Sequence, residues 1–188
     1  MNKIELQTER LKLRLITLSD LLAIHHLHSL PETDEFNTLG IPKSIDETKS
    51  IIELWILENQ RPEINNYTFC IEQNLTSQFI GLVALKLRNR KFRCAEVWYK
   101  LHADYWVKGF ATESVNILLD FGFDKLNLHR IEAGCAVDNI RSIKVLEKVG
   151  MMREGRKRQI LPLKSGWSDN FEYAIIETDQ RIFTSKKD

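Results

Sequence analysis

The stretch Tyr105-Trp106-Val107-Lys108-Gly109-Phe110-Ala111-Thr112-Glu113 holds the residue pattern most able to do chemistry in this chain. An aromatic, β-branched run, Ala95-Glu96-Val97-Trp98-Tyr99-Lys100-Leu101, precedes it and reads as a strand. From Ala111 to Lys125 the spacing of Ala111, Val115, Leu118, Leu119 and Gly122 places them on one helical stripe. The first backbone N–H groups of such a helix have no acceptor within it, and Gly109 and Ala111 leave them uncovered. Together with the helix dipole, those donors suit an anion, most naturally a phosphate. The stretch therefore points to a phosphate-bearing cofactor. An ordinary glycine turn gives the same local pattern, and neither G-x-x-x-x-G-K-[ST] nor G-x-G-x-x-G is present. Other parts of the chain must name the anion.

The elements around this loop follow from periodicity. Leu11, Leu13 and Leu15 alternate with Lys12 and Arg14 as in a half-buried strand. Thr17-Leu18-Ser19-Asp20 has the form of a capping box and predicts a helix through His28, ending before Pro31. Residues 32–42 read as a loop. Ser44-Ile45-Asp46-Glu47 is a second capping box, heading a helix to about Gln60 that buries Ile51, Ile52, Trp55 and Ile56. Tyr67 to Glu72, Phe79 to Leu87 and Phe92 to Leu101 read as an antiparallel meander, with turns at Asn74–Ser77 and Asn89–Lys91. After the helix at Ala111, a strand from Arg130 to Val137 and a helix from Ile140 to Val149 follow, with Gly150 placed for a left-handed end. Arg156 to Pro162 and Ser168 to Thr178 form a final hairpin about Lys164-Ser165-Gly166. The order is that of one α/β domain around a mixed sheet, over residues 1–183, with a loose tail from Thr184.

Composition narrows the function classes. The chain has 188 residues, 43% hydrophobic and 28% charged, with a net charge of +1. Its charges are interspersed, so there is no electrostatic case for a nucleic-acid partner. No stretch approaches the roughly 20 apolar residues needed to span a bilayer, and the start lacks a signal-peptide apolar region. Cys70, Cys94 and Cys135 lie in apolar runs and read as reduced packing residues in a cytoplasmic protein. His25, His26 and His28 lack partner ligands, so no metal site is expected.

Several segments, taken together and in order, resemble one family. Leu11-x-Leu13-Arg14, Glu96-Val97-x-Tyr99 and Trp106-x-Lys108-Gly109-Phe110-Ala111-Thr112-Glu113 are similar to the RimJ/RimL-type branch of the GNAT N-acetyltransferases. So are Leu128-His129-Arg130-Ile131-Glu132-Ala133, Asn139-x-x-Ser142-x-x-Val145-Leu146-Glu147-Lys148-x-Gly150-Met151, and the ending from Glu154-Gly155 through Trp167-x-Asp169 to Tyr173. The resemblance covers about Glu9 to Thr178. It implies a single GNAT-type domain with a mostly antiparallel, twisted sheet, splayed between the strands at about 94–101 and 130–137. It also implies that the anion is the pyrophosphate of acetyl-CoA, held by backbone N–H groups of Val107, Lys108, Gly109, Phe110, Ala111 and Thr112. Pantetheine would extend the strand pairing beside Tyr99 and Leu101. Val107 departs from the family pattern, where glycine is usual; a β-branched residue resists positive φ, so a right-handed or extended conformation is expected.

The resemblance assigns roles further along. Asn139 suits an amide contact to pantetheine, or a helix N-cap, or both. Ser142 is a candidate proton donor to the departing thiolate, or a small polar residue near a helix start. Glu96 is a candidate base acting through water, or a charge on a solvated strand face. Glu132 and His129 are weaker candidates, and Asp169 reads as orienting the last hairpin. The implied reaction is direct acetyl transfer to a primary amine, either a protein N-terminus or a small amine such as a polyamine, amino acid or antibiotic. A non-catalytic acyl-CoA sensor would share the same cleft. Exposed hairpin edges also allow a homodimer.

Overall fold

Leu11 and Leu13 are sealed in the core, and the alternation around them forms strand β2 (Leu11–Leu15). The computed structural model describes residues 4–181, so the tail expected from Thr184 lies outside the described residues. A short strand not foreseen from periodicity, β1 (Glu5–Gln7), pairs antiparallel with β2, Leu6 opposite Leu13. At three residues it is too short to show alternation. The Asp20 carboxylate accepts from the Thr17 N–H at 2.8 Å, which opens a 3-10 turn leading into helix α1 (Leu21–Ser29).

The expected loop at 32–42 is helical at its start. Pro31 heads α2 (Pro31–Asp34), a position where its missing N–H costs nothing. The Thr33 hydroxyl donates to the Leu27 carbonyl at 2.6 Å and folds α2 back onto α1. Helix α3 (Ile45–Asn59) begins at Ser44, whose hydroxyl accepts from the Glu47 N–H at 3.2 Å. Only Ile52 of its expected core residues is fully buried; Ile51, Trp55 and Ile56 are half-buried at the edges of the contact.

Strands β3 (Asn66–Gln73), β4 (Phe79–Leu87) and β5 (Cys94–Leu101) form the expected antiparallel meander. Phe92, read from sequence as strand, instead ends a 3-10 turn closed by Arg93 in the left-handed region, so β5 starts at Cys94. Helix α4 (Phe110–Asp120) continues as a π-helical turn over Phe121–Lys125. Then come β6 (Arg130–Ala136), α5 (Ile140–Lys148), and a hairpin of β7 (Met152–Leu163) and β8 (Gly166–Ile176). The hairpin begins before the expected Arg156, because β7 is exposed and charged along most of its length and shows no apolar period.

All eight strands join one sheet in the order β1-β2-β3-β4-β5-β6-β8-β7. Every neighbouring pair is antiparallel except β5 and β6, which are parallel. That pair stays in register only at Cys94–Arg130, Ala95–Ile131 and Glu96–Glu132. Beyond Glu96 the strands part, as the splayed sheet requires, while β5 keeps β4 and β6 keeps β8 on their other edges. One face of the sheet packs Val97 and Leu101 against α4. On the other, Trp98 packs near Trp55 of α3, their rings 5.6 Å apart.

Candidate active site

Six successive backbone N–H groups, from Val107 to Thr112, meet no acceptor among the described residues; the first bond into α4 is from the Glu113 N–H to the Gly109 carbonyl. Val107 is 95% exposed, Lys108 and Gly109 are exposed, and Phe110 turns inward. Gly109 takes φ +83°, and a Cβ there would meet only an Arg10 nitrogen, at 3.3 Å. The donors and the dipole fit a diphosphate.

Val107 overturns one expectation. Its φ is +61°, in the left-handed region, where a right-handed or extended conformation was expected for a β-branched side chain. The loop geometry prevails over the residue's preference, and such a conformation costs on the order of 1–2 kcal/mol. A clamp absent from the sequence reading holds the loop. The buried Glu113 carboxylate accepts from the Thr8 hydroxyl at 2.5 Å and from Arg10 Nε at 2.7 Å. Arg10 Nη1 then donates to the Lys108 carbonyl at 3.1 Å, and its guanidinium lies 4.6 Å over the Phe110 ring. The only sequence signal was an acidic residue in the first turn of α4.

The mouth leads into the parted sheet. The β5 edge from Val97 to Leu101 is unpaired on the side facing β6. Within it, the Leu101 carbonyl accepts from the Trp106 indole N–H at 2.9 Å. Trp106 in turn carries the Arg141 guanidinium 4.3 Å over its ring. Tyr99, read from sequence only as a pantetheine neighbour, places its hydroxyl 2.8 Å from the Ser142 hydroxyl. Burial pushes the Tyr99 phenol well above its ordinary range, with the Ser142 hydrogen bond acting the other way. Burial likewise raises the Cys135 thiol to about 11, again opposed by a hydrogen bond to Ser142. Both neighbours of Ser142 thus stay protonated at neutral pH. Asn139 caps α5, its side-chain oxygen accepting from the Ser142 N–H at 3.1 Å, which leaves its amide N–H₂ free to donate.

Glu96 lies where β5 and β6 part, paired across to Glu132 in register and exposed on the sheet face away from α4. The other carboxylates are engaged. Glu132 meets Arg88 at 2.7 Å and Arg130 at 2.8 Å, and His129 Nδ1 lies 3.0 Å from Glu177. Asp169 accepts from Arg156 at 2.6 Å and from the Gln159 N–H at 2.8 Å; the backbone bond, then the arginine, hold its carboxyl below the usual range. It orients the hairpin. The structure thus brings Tyr99, Asn139 and Ser142 together at the parted strands, with Glu96 at their vertex.

Residues 10–152 match the family described as "Acetyltransferase (GNAT) domain". The chain belongs to the GNAT acetyltransferases. This GNAT chain is similar to an uncharacterized N-acetyltransferase, YoaA, of Bacillus subtilis, at 32% identity over 92% of this chain and 96% of that one. The crystal structure of spermidine N-acetyltransferase from Vibrio cholerae, in complex with CoA and spermine, superposes with a TM-score of 0.80. It shares 27% identity and covers 90% of this chain and 97% of its own. A ribosomal-protein-S5-alanine acetyltransferase from Vibrio fischeri shares the fold, with a TM-score of 0.78 at 24% identity, over 93% of this chain and 97% of that one.

Proposed function

We propose that this acetyltransferase moves the acetyl group of acetyl-CoA to a primary amine by direct attack, within the RimJ/RimL-like branch. The observation that carries the reading is the line of unpaired donors from Val107 to Thr112 running into the unpaired edge of β5. The first would hold the pyrophosphate, and the second would pair with pantetheine as an added strand. Asn139 would give its amide N–H₂ to the pantetheine.

In the reaction the neutral amine nitrogen forms a bond to the thioester carbonyl carbon, and the carbon–sulfur bond breaks. A backbone N–H of β5 between Val97 and Tyr99, fixed by the strand, would stabilise the oxyanion. Ser142 would pass a proton to the leaving thiolate and be reprotonated through its hydrogen bond to Tyr99, which takes a proton from solvent so that the phenol is restored. Glu96 would accept the proton shed by the amine, through water, so that one proton is lost and one gained. The amine could be a protein N-terminus or a small amine. With its cysteines free and buried, we place the chain in the cytoplasm, and among the described residues no helix is long and apolar enough to cross a membrane.

Calorimetric titration with acetyl-CoA, then coenzyme release over a panel of amines and N-terminal peptides, tests the reading. Binding without release on any acceptor would favour an acyl-CoA sensor instead. For Glu96→Gln, the reading expects a kcat/KM pH profile that differs from the wild type; a profile superimposable on the wild type removes Glu96 as base.

A further inference from the structure

Three buried polar atoms converge on the sheet face away from α4 without hydrogen-bond partners: Lys100 Nζ on β5, Asp34 Oδ1 on α2 and His28 Nδ1 on α1. His28 is 2% exposed and Asp34 5%. Lys100 and Asp34 interact electrostatically yet form no ion pair within 4 Å, which leaves a gap between opposite charges. Native interiors rarely leave such groups unmatched, because each costs more than an ordinary hydrogen bond recovers.

The cluster lies on the opposite face of β5 from the Tyr99 side chain and connects to the reacting centre through chain neighbours. Lys100 follows Tyr99, which bonds Ser142. Asp34 precedes Glu35, whose carboxylate lies 3.6 Å from Arg141, the residue before Ser142. On the same face, the Trp98 ring packs against Trp55, and Trp55 against His28. An acceptor that opened this face would find an ammonium and a carboxylate near one another, beside the Trp98 and Trp55 rings.

We propose that Lys100 and Asp34 select the acceptor, and that it is a primary amine that also carries a carboxylate, of the amino-acid type. The inference rests on the N-acetyltransferase reading above and narrows its acceptor. Lys100 Nζ would donate to the acceptor carboxylate, and Asp34 would receive the amine end as it is led to the thioester. A polyamine would instead set a second cation beside an ammonium balanced only by Asp34, which makes no direct ion pair with it. Burial lowers Lys100 to about 8, with Asp34 acting the other way, so the amine is still mostly protonated at neutral pH. His28, lowered to about 4 chiefly by burial and then by Lys100, is neutral there and adds no competing charge. The three atoms are sealed, so the acceptor reaches them by displacing α2. That helix has four residues, tied down by the Thr33 hydroxyl and ending beside the exposed Glu35–Arg141 pair.

The test is a matched panel of α-amino acids, their carboxamides and polyamines, assayed with wild type, Lys100→Met and Lys100→Arg. Wild type should favour the carboxylates over the carboxamides by about tenfold or more, as a site built around a charged partner does. Lys100→Met should erase that preference through the acceptor KM while leaving the KM for acetyl-CoA unchanged, and Lys100→Arg should retain part of it. Preference for polyamines, or an unchanged ratio in Lys100→Met, overturns the proposal and leaves acetyl transfer standing. If acetyl-CoA binds and no amine turns over, the enzyme reading falls, and calorimetry with N-acetyl amino acids in the presence of CoA decides. Binding lost in Lys100→Met supports the pocket, and no binding to wild type overturns it. Thermal melting guards against misfolding, and Lys100→Arg, which keeps a cation near Asp34, keeps the test readable if Lys100→Met is destabilised.

Discussion

Val107 carries a left-handed backbone on a β-branched side chain that touches almost nothing, at 95% exposed. Glycine adopts that conformation without the Cβ clash, so Val107→Gly should raise stability by up to about 1 kcal/mol, read as a higher Tm. The same loop leans on Arg10. Arg10→Met removes the donor to the Lys108 carbonyl and strips Glu113 of its counter-ion. It should weaken acetyl-CoA binding about tenfold by calorimetry, equivalent to about 1.4 kcal/mol, with kcat little changed. Adding Val107→Gly should recover part of that loss, because a relaxed loop depends less on the clamp. Ser142 behaves in the opposite way. Ser142→Ala should lower kcat about 100-fold, the ordinary scale of a lost proton donor, with acetyl-CoA affinity preserved; an unchanged kcat removes it from the chemistry.

At the scale of elements, α1 is tied to pH through His28. Its folded pKa, about 4, lies below the ordinary 6.5, so the unfolded chain binds the extra proton between those values. Stability contributed by burying the neutral ring is therefore complete above pH 6.5 and lost as pH falls towards 4, by up to about 3 kcal/mol. Thermal melts from pH 7 to 4 should fall more steeply for wild type than for His28→Gln. Much of this level was legible from sequence. Alternating Leu11 and Leu13, the Ser44 box and Gly150, with φ +88°, each announced an element by a local rule. What stayed hidden was set at a distance or against local preference. Glu113 finds Thr8 and Arg10 across most of the chain, Tyr99 finds Ser142 across the parted strands, and Val107 is overruled by its loop. The unmatched Lys100, Asp34 and His28 lie on three separate elements, and no spacing rule joins them.

For the whole molecule, the sheet divides into β1 to β5 on one side and β6 to β8 on the other, joined in the ladder by three residue pairs. A ligand that binds only the folded chain stabilises it by mass action, so acetyl-CoA at 100 times its Kd should add about 2.7 kcal/mol to stability. If pantetheine bridges the two halves, that gain should be concentrated at the seam. Amide exchange should slow along the inner edges of β5 and β6 on coenzyme loading, more than at β2 or β3, which are already paired on both sides. The protein would then work like a zip whose slider comes out once per turnover: CoA keeps the arm that fastened the halves, and the seam loosens only as the spent carrier leaves.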